Sequence, residues 1–404
     1  MSDTIQDGLP RVTLKPRRAL PFFSRHPWVF AGAVERVDDH ATAGSEVAVF
    51  SHDGEFIARG LYNPDSNLQV RLYSWDAERA LDESFWSQRL DEAIDLRSRL
   101  FTEAGKQPAC RLVFSEGDGI SGLTVDRYDD WLLVQITSRA LYERRETFIE
   151  LLQSKLQPRG IWLRTEKGIR EAEGLVQDDG LVVGKEPPRP LFIEENGLRF
   201  GVDVVEGQKT GYYFDQRDNR RAVAQYVRGR RVLDLHCYTG GFSIAAARLG
   251  GAHEVIGVDS SAPAITMATE NAVMNEVADR VHFEKADSAR KLAELNGAGE
   301  TFDVIILDPP KMARHRKGVE SALKAYTAMN REAMKALTPG GILVSCSCSG
   351  LVSREQFKEA IAKAALQTGK NVQILESRGQ ATDHPVSIFC PESDYLTCLI
   401  CRVV

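Results

Sequence analysis

The amino-acid sequence predicts an α/β protein: a C-terminal doubly wound, Rossmann-like parallel sheet, preceded by a small β-rich domain and an α+β middle domain. Three observations carry the prediction. From residue 231 onward five apolar runs alternate with helical stretches: RVLDLHC (231–237), EVIGVD (254–259), VHFEKAD (281–287), FDVIILD (302–308) and GGILVSCSC (340–348). Such alternation is the signature of parallel strands joined by crossover helices. Before residue 75, VAVF (47–50), EFIARGLY (55–62) and LQVRLYSW (68–75) alternate apolar and polar residues between turn signals, the period of half-buried strands. Between these regions, Phe85, Trp86, Leu90, Ile94 and Leu100 form one helical stripe, followed by a strand pair, a helix near 142–156 and a strand at 160–166. A chain of 404 residues exceeds one ordinary domain. The expected boundaries are 10–80, 81–188 and 189–404, the last falling at the proline-rich KEPPRP (185–190).

Composition narrows the class. Hydrophobic residues at 43% and charged residues at 27% suit a soluble globular protein with full cores. No run of about 18 apolar residues exists, so no membrane span is expected. The seven cysteines are odd in number and share no CxxC spacing, which predicts neither a disulfide framework nor a metal site and suits a cytoplasmic protein. The net charge of −6 does not advertise nucleic-acid binding, but basic residues are locally concentrated. Residues 10–31 carry Arg11, Lys15, Arg17, Arg18 and Arg25 without an acid, and 311–317 carry Lys311, Arg314, Arg316 and Lys317 likewise. A third basic stretch spans 209–231. Any one could be a solvated face; together they favour a polyanionic partner.

The chemistry concentrates where the predicted strands end. Asp234-Leu-His-Cys-Tyr238-Thr239-Gly240-Gly241 follows the first strand and opens a helix, and glycine there admits a ligand close to the backbone. Asp259 ends the second strand, 25 residues after Asp234, where an acid accepts hydrogen bonds from ribose hydroxyls. Asp287 ends the third, placed to receive an adenine amino group, and Asp308 ends the fourth, at the mouth where reaction would occur. Turns often take aspartate anyway. Four acids at four successive strand ends, one behind a Gly-Gly turn, point instead to a nucleoside-like cofactor.

Several further segments carry a resemblance: GQKTGYYFDQRDNR (207–220), YTGGF (238–242), DPPK (308–311), SCSCSG (345–350) and ATDHP (381–385). On these the chain resembles the RlmI-type family of ribosomal RNA large-subunit methyltransferases. Its C-terminal half is similar to class I methyltransferases, and its N-terminal β segment resembles a PUA domain. The resemblance implies S-adenosyl-L-methionine as cofactor and production of 5-methylcytosine in 23S ribosomal RNA. That RNA would be free of, or met before, full subunit assembly. It further implies that residues 207–220 pack over the cofactor, with Gln216 and Arg217 as the foremost contacts. Tyr238 stands where ordinary methyltransferases have glycine, a departure the family shares.

Carbon 5 of cytosine is a poor nucleophile. The usual solution is covalent: a thiolate adds to C6, C5 takes the methyl group, and loss of the C5 proton releases the enzyme. Cys346 and Cys348 end the fifth strand, beside the end of the fourth, and one of them is expected to reach the base. Alignment with 5-methylcytosine enzymes selects Cys348; alignment with 5-methyluridine enzymes selects Cys346. Asp308 would hold the N3/N4 edge of a base taken out of its stack. Lys311, Arg314 and Arg316 at the mouth, with Arg17, Arg18 and Arg25 at the N-terminus, would contact RNA phosphates. A second reading is methylation of an exocyclic amino group, supported by Asp308-Pro309-Pro310 but opposed by Lys311, which replaces the stacking aromatic. A third is a catalytically inactive, cofactor-sensing RNA-binding protein, which the complete acid set opposes. A homodimer is compatible with the sequence, which does not decide it.

Overall fold

The computed structural model of the protein describes residues 8–101, 109–176, 179–206 and 211–404. Of the expected cofactor-covering segment, residues 207–210 therefore lie outside the described residues. The chain divides into two compact units: Met1–Leu191 with Asp203–Tyr212 and Asp383–Ser393, and Phe192–Val202 with Tyr213–Thr382 and Asp394–Val404.

The first unit contains two sheets. Strands Arg11–Leu14, Trp28–Phe30, Val34–Val37, Glu46–Phe50, Phe56–Tyr62 and Leu68–Ser74 form a six-stranded sheet. Strands Cys110–Phe114, Leu123–Tyr128, Trp131–Ile136, Gly160–Leu163 and Gly180–Gly184 pair in chain order into a five-stranded sheet. The helix Glu83–Leu100 begins where the Asp82 side chain accepts the Phe85 N–H, at 2.9 Å, satisfying a donor that the first helical turn leaves free. Its predicted stripe is buried at Phe85, Trp86 and Leu90. Those residues share one core with Tyr73 of the first sheet, Leu132 of the second and Phe148 of the helix Arg145–Leu156.

The same helix carries a charge to the interior that its apolar stripe did not announce. Arg97 is 1% exposed. Its guanidinium pairs in a fork with Asp118, at 2.6 and 2.8 Å, and donates to the backbone carbonyls of Arg111 and Asp383. A planar five-donor group can be buried when every direction meets an acceptor.

The second unit is built on seven strands: β1 (Arg231–Leu235), β2 (Glu254–Asp259), β3 (Val281–Lys285), β4 (Phe302–Leu307), β5 (Leu337–Ser347), β6 (Val372–Arg378) and β7 (Thr397–Val403). Their spatial order is β3-β2-β1-β4-β5-β7-β6. The first five run parallel, as the sequence predicts, while β7 lies antiparallel between β5 and β6. That closing hairpin is not among the elements the sequence predicts. Helices α1 (Gly241–Arg248), α2 (Ala262–Met274), α3 (Ser288–Gly297), α4 (Val319–Ala336) and α5 (Arg354–Thr368) complete the layers. Leu233, Ile305, Leu307 and Leu343 of the sheet pack with Tyr326, Met334, Phe357 and Ile361 of α4 and α5. Strands covered on both faces are buried almost throughout, which explains their continuous apolar runs. Strand order reverses between β1 and β4, the switch point where a sheet of this kind opens a crevice at its carboxyl edge. Among the described residues no helix is long and apolar enough to cross a membrane.

Candidate active site

The turn after β1 keeps the backbone of a glycine-rich loop without all of its glycines. Gly240 has φ +85° and packs so closely that an added Cβ would meet the Phe283 ring at 2.7 Å. Tyr238 itself has φ +49°, the left-handed region that glycine adopts most cheaply. Its ring packs edge-on to Tyr213, with centroids 5.2 Å apart. The residue has changed, and the backbone conformation has not. The Thr239 carbonyl and the Gly201 backbone are both held by the buried Asn271 of α2.

The four strand-end acids occupy different environments. Asp234 is fully buried; Oδ2 accepts the Ser243 hydroxyl at 2.6 Å, while Oδ1 has no hydrogen-bond partner among the described residues. Burial pushes its carboxyl up to about 6, against the pull of Ser243. Asp259 is also buried and accepts the backbone N–H groups of Tyr238 and Ser261, at 3.0 and 2.8 Å. A carboxylate offers about four acceptor positions, so Asp259 keeps capacity for hydroxyl donors. Asp287 is exposed and caps α3 by accepting the Arg290 N–H at 2.9 Å. Asp308 follows β4, and burial and the nearby Asp215 carboxylate push it up to about 7. The unpartnered buried oxygen of Asp234 and the spare acceptors of Asp259 fit a ligand that brings donors to this edge.

Gln216 and Arg217 lie directly before and at the start of the short helix Arg217–Val223. Gln216 is buried and donates to Asp308 Oδ1 at 3.0 Å. Arg217 lies 3.6 Å from Glu195 and over the Phe214 ring. Arg220 also pairs with Glu195, at 2.7 Å.

The two candidate cysteines differ sharply. Cys346 lies within β5, directly opposite Cys398 of β7, and is completely buried. The hydrogen bond with Cys398, followed by burial, pushes its thiol well up. Cys348 is part-exposed, and its Sγ lies 3.7 Å from the Pro309 carbonyl oxygen. Residues two apart on a strand share a face; these two separate because β5 ends at Ser347. Just beyond, the Ser349 hydroxyl accepts the N–H groups of Met312 and Ala313, at 3.0 and 3.2 Å. Tyr326 of α4 bridges Ser347 and Ser349. The loop that carries Pro309 and Pro310 is thereby pinned to the end of β5. Nothing in the spacing of Tyr326, Ser347 and Ser349 signals that role.

The predicted phosphate contacts divide between the units. Arg17, Arg18 and Arg25 are exposed on the first unit, and Lys311, Arg314 and Arg316 are exposed on the second. His384 is buried in the first unit, bonded to Asp383 at 2.9 Å and 5.1 Å from the Phe114 ring. The first unit also gathers His26, Cys390 and Glu392 within 4.8 Å. The Trp28 N–H donates to His26 Nδ1 at 3.3 Å, so the ring proton sits on Nε2, facing Glu392 at 3.2 Å. The Cys390 thiol, pushed up to about 12 by burial and flanking carboxylates, reaches the same Glu392 oxygen. Hydrogen bonds satisfy these three groups without an ion.

Comparison with known proteins shows the family. Residues 180–385 match the model of an S-adenosylmethionine-dependent methyltransferase family, and residues 12–75 match a PUA-like domain. The chain is 41% identical over 395 residues to the ribosomal RNA large subunit methyltransferase I of Shewanella denitrificans, covering 97% of this chain and 99% of that one. It is 38% identical to the protein of the same name from Shigella dysenteriae, covering 98% and 99%. A solved methyltransferase complexed with SAH superposes with a TM-score of 0.85 at 21% identity, covering 97% of this chain and 99% of that one. A SAM-dependent methyltransferase from Streptococcus mutans superposes at 0.83 and 20%, with the same coverage. The chain belongs to the ribosomal RNA large subunit methyltransferase I family and combines a PUA-like domain with an S-adenosylmethionine-dependent methyltransferase domain.

Proposed function

We propose that the protein methylates C5 of a cytosine in 23S ribosomal RNA, with Cys348 as the nucleophile. What carries the reading is the contrast between the cysteines: Cys348 is part-exposed beside the Pro309 carbonyl, while Cys346 is buried against Cys398. The bound cofactor supplies an electrophilic methyl group. Asp259 is suited to accept its ribose hydroxyls, the Thr239–Gly241 backbone to approach it closely, and Asp287 to receive its adenine amino group. Asp234 Oδ1 offers one further buried acceptor.

The chain's own task is to make C5 nucleophilic. The Cys348 thiolate adds to C6, which forms the S–C6 bond and moves the electron pair toward C5. After C5 has gained the methyl group, transfer of its proton to a base or to water returns the C5–H electron pair to the C5–C6 bond and expels the thiolate from C6. Asp308, at about 7, is divided between its acid and carboxylate forms near neutral pH, which suits it to donate toward N3 or accept from the N4 amino group. Lys311, Arg314 and Arg316 on one unit and Arg17, Arg18 and Arg25 on the other are available to RNA phosphates. The expected setting is the cytoplasm, on RNA not yet fully assembled.

The test is nucleoside mass spectrometry of ribosomal RNA from cells lacking the protein, followed by re-methylation in vitro. The expected product is 5-methylcytidine; methyladenosine or methylguanosine would instead identify an amino-group methyltransferase. Cys348→Ala should lower turnover on the order of 1,000-fold or more while cofactor binding persists. Wild-type protein should form a covalent adduct with RNA containing 5-fluorocytosine. Full activity of the Cys346/Cys348 double alanine variant would sink the mechanism.

A further inference from the structure

We propose that Asn219 and Arg378 are positioning residues that act on Asp308 at a distance, by fixing which end of the Gln216 amide faces it. The inference deepens the reading above, since it assigns a control to the acid at the reacting edge.

Four side chains form a chain of hydrogen bonds. Arg378 Nε donates to Asn219 Oδ1 at 2.9 Å, Asn219 Nδ2 to Gln216 Oε1 at 2.6 Å, and Gln216 Nε2 to Asp308 Oδ1 at 3.0 Å. The direction of each amide is set by its surroundings. Arginine has five donors and no acceptor, so the Asn219 atom facing it must be the oxygen. On the other side, Asn219 Nδ2 also meets the Gly379 carbonyl oxygen, at 3.0 Å, which can only accept. Asn219 is 1% exposed and Gln216 is 2% exposed, so water cannot substitute for either partner. With Gln216 Oε1 engaged, its amino group must face Asp308. A flipped Gln216 would set two acceptors against each other, a contact tolerable only if Asp308 carried a proton.

The far end of the relay is anchored in turn. Arg378 Nη1 pairs with Glu376 at 2.7 Å, and Glu376 accepts the Tyr226 hydroxyl at 2.6 Å. The groups that face Asp308 are Asp215, Asp234, Arg220, Tyr213, Tyr326 and Cys346. The acids and Arg220 oppose one another, and Gln216 is the group whose direction of bonding is switchable. A donor there favours the carboxylate form; an acceptor there favours the acid.

The decisive comparison is between Asn219→Asp, which replaces the obligate donor with an acceptor but adds a charge, and Asn219→Leu, which removes the donor and adds none. The full-length protein, carrying carbon-13-labelled aspartate and assigned through Asp308→Asn, is titrated by NMR without RNA. In both variants the Asp308 titration should move upward, by about one pH unit or more in Asn219→Asp; a shift in Asn219→Asp alone would belong to the added charge and would overturn the proposal. The pH profile of methyl transfer should move in the same direction, with cofactor affinity within about twofold of wild type. Arg378→Met, with the Gly379 carbonyl still holding the Asn219 amide, should move the titration less, and Arg378→Lys, which still only donates, should leave it in place. Loss of rate in Asn219→Asp with an unmoved Asp308 titration would overturn the proposal and reduce Asn219 to a structural residue. If Asn219→Asp fails to fold, Asn219→Leu decides alone. Because the titration needs no RNA, it stands whichever base proves to be the substrate.

Discussion

Asp308, the acid proposed at the reacting edge, also opposes folding. Its folded value is raised to about 7, and that of Asp234 to about 6, in each case chiefly by burial. The sign follows from proton binding. The folded protein holds these protons more tightly than the unfolded chain, so the contribution of these two groups to stability is greatest below the ordinary carboxylate value of about 4 and declines as pH rises. The decline should end near pH 7, once both groups are ionised in either state. Asp308→Asn should therefore flatten the fall in thermal midpoint between pH 5 and pH 8, measured by calorimetry, while turnover is lost. An equally steep fall in the variant would mean that Asp308 is ionised throughout. Arg97 belongs to the same scale with the opposite consequence. Arg97→Ala leaves Asp118 buried without its partner and should cost about 3–5 kcal/mol by denaturant titration.

At the scale of elements, the loop after β4 holds its shape because β5 ends where it does. Two loop N–H groups converge on the Ser349 hydroxyl, and Tyr326 ties that hydroxyl to α4. Ser349→Ala removes both acceptor interactions at once and should destabilise by roughly 1–3 kcal/mol. Turnover should fall more than cofactor affinity, as isothermal titration and initial rates would show. All five predicted strands are present; four were readable because burial writes apolar runs, while Val281–Lys285, exposed at His282, Glu284 and Lys285, was readable only from its place in the strand–helix alternation. The β6–β7 hairpin was not readable. Val372–Arg378 is largely exposed and Thr397–Val403 is almost wholly buried, so neither shows a clean period of two. The glycine turn was legible as a motif. That Tyr238 would adopt a glycine-like φ was legible only as an oddity.

At the scale of the molecule, the acids at the sheet edge were visible because parallel sheets present ligands at one end of their strands. Their partners were invisible, since Gln216 and Asp308 are 92 residues apart and Asn219 and Arg378 are 159 apart. Sequence spacing holds no information about contacts of that separation. The choice between Cys346 and Cys348 likewise required knowing where β5 stops and what lies across from it. For the RNA contacts, a Lys311→Ala/Arg314→Ala/Arg316→Ala variant should weaken RNA binding and lower its salt dependence by roughly one ion per lost phosphate contact. Filter binding at several salt concentrations measures both. An unchanged slope would move the phosphate contacts elsewhere.

The two compact units are not consecutive stretches of chain. The first takes Met1–Leu191 but also Asp203–Tyr212 and Asp383–Ser393, and the second supplies its β7 only after that last excursion. Synthesis proceeds from the N-terminus, so the first unit waits for a segment made nearly 200 residues after its main body has emerged. The Arg97 guanidinium, for one, lacks the Asp383 carbonyl until then. Both units are thus completed almost together, late in translation, and a nascent chain stalled before residue 383 would carry two unfinished structures rather than one finished and one pending.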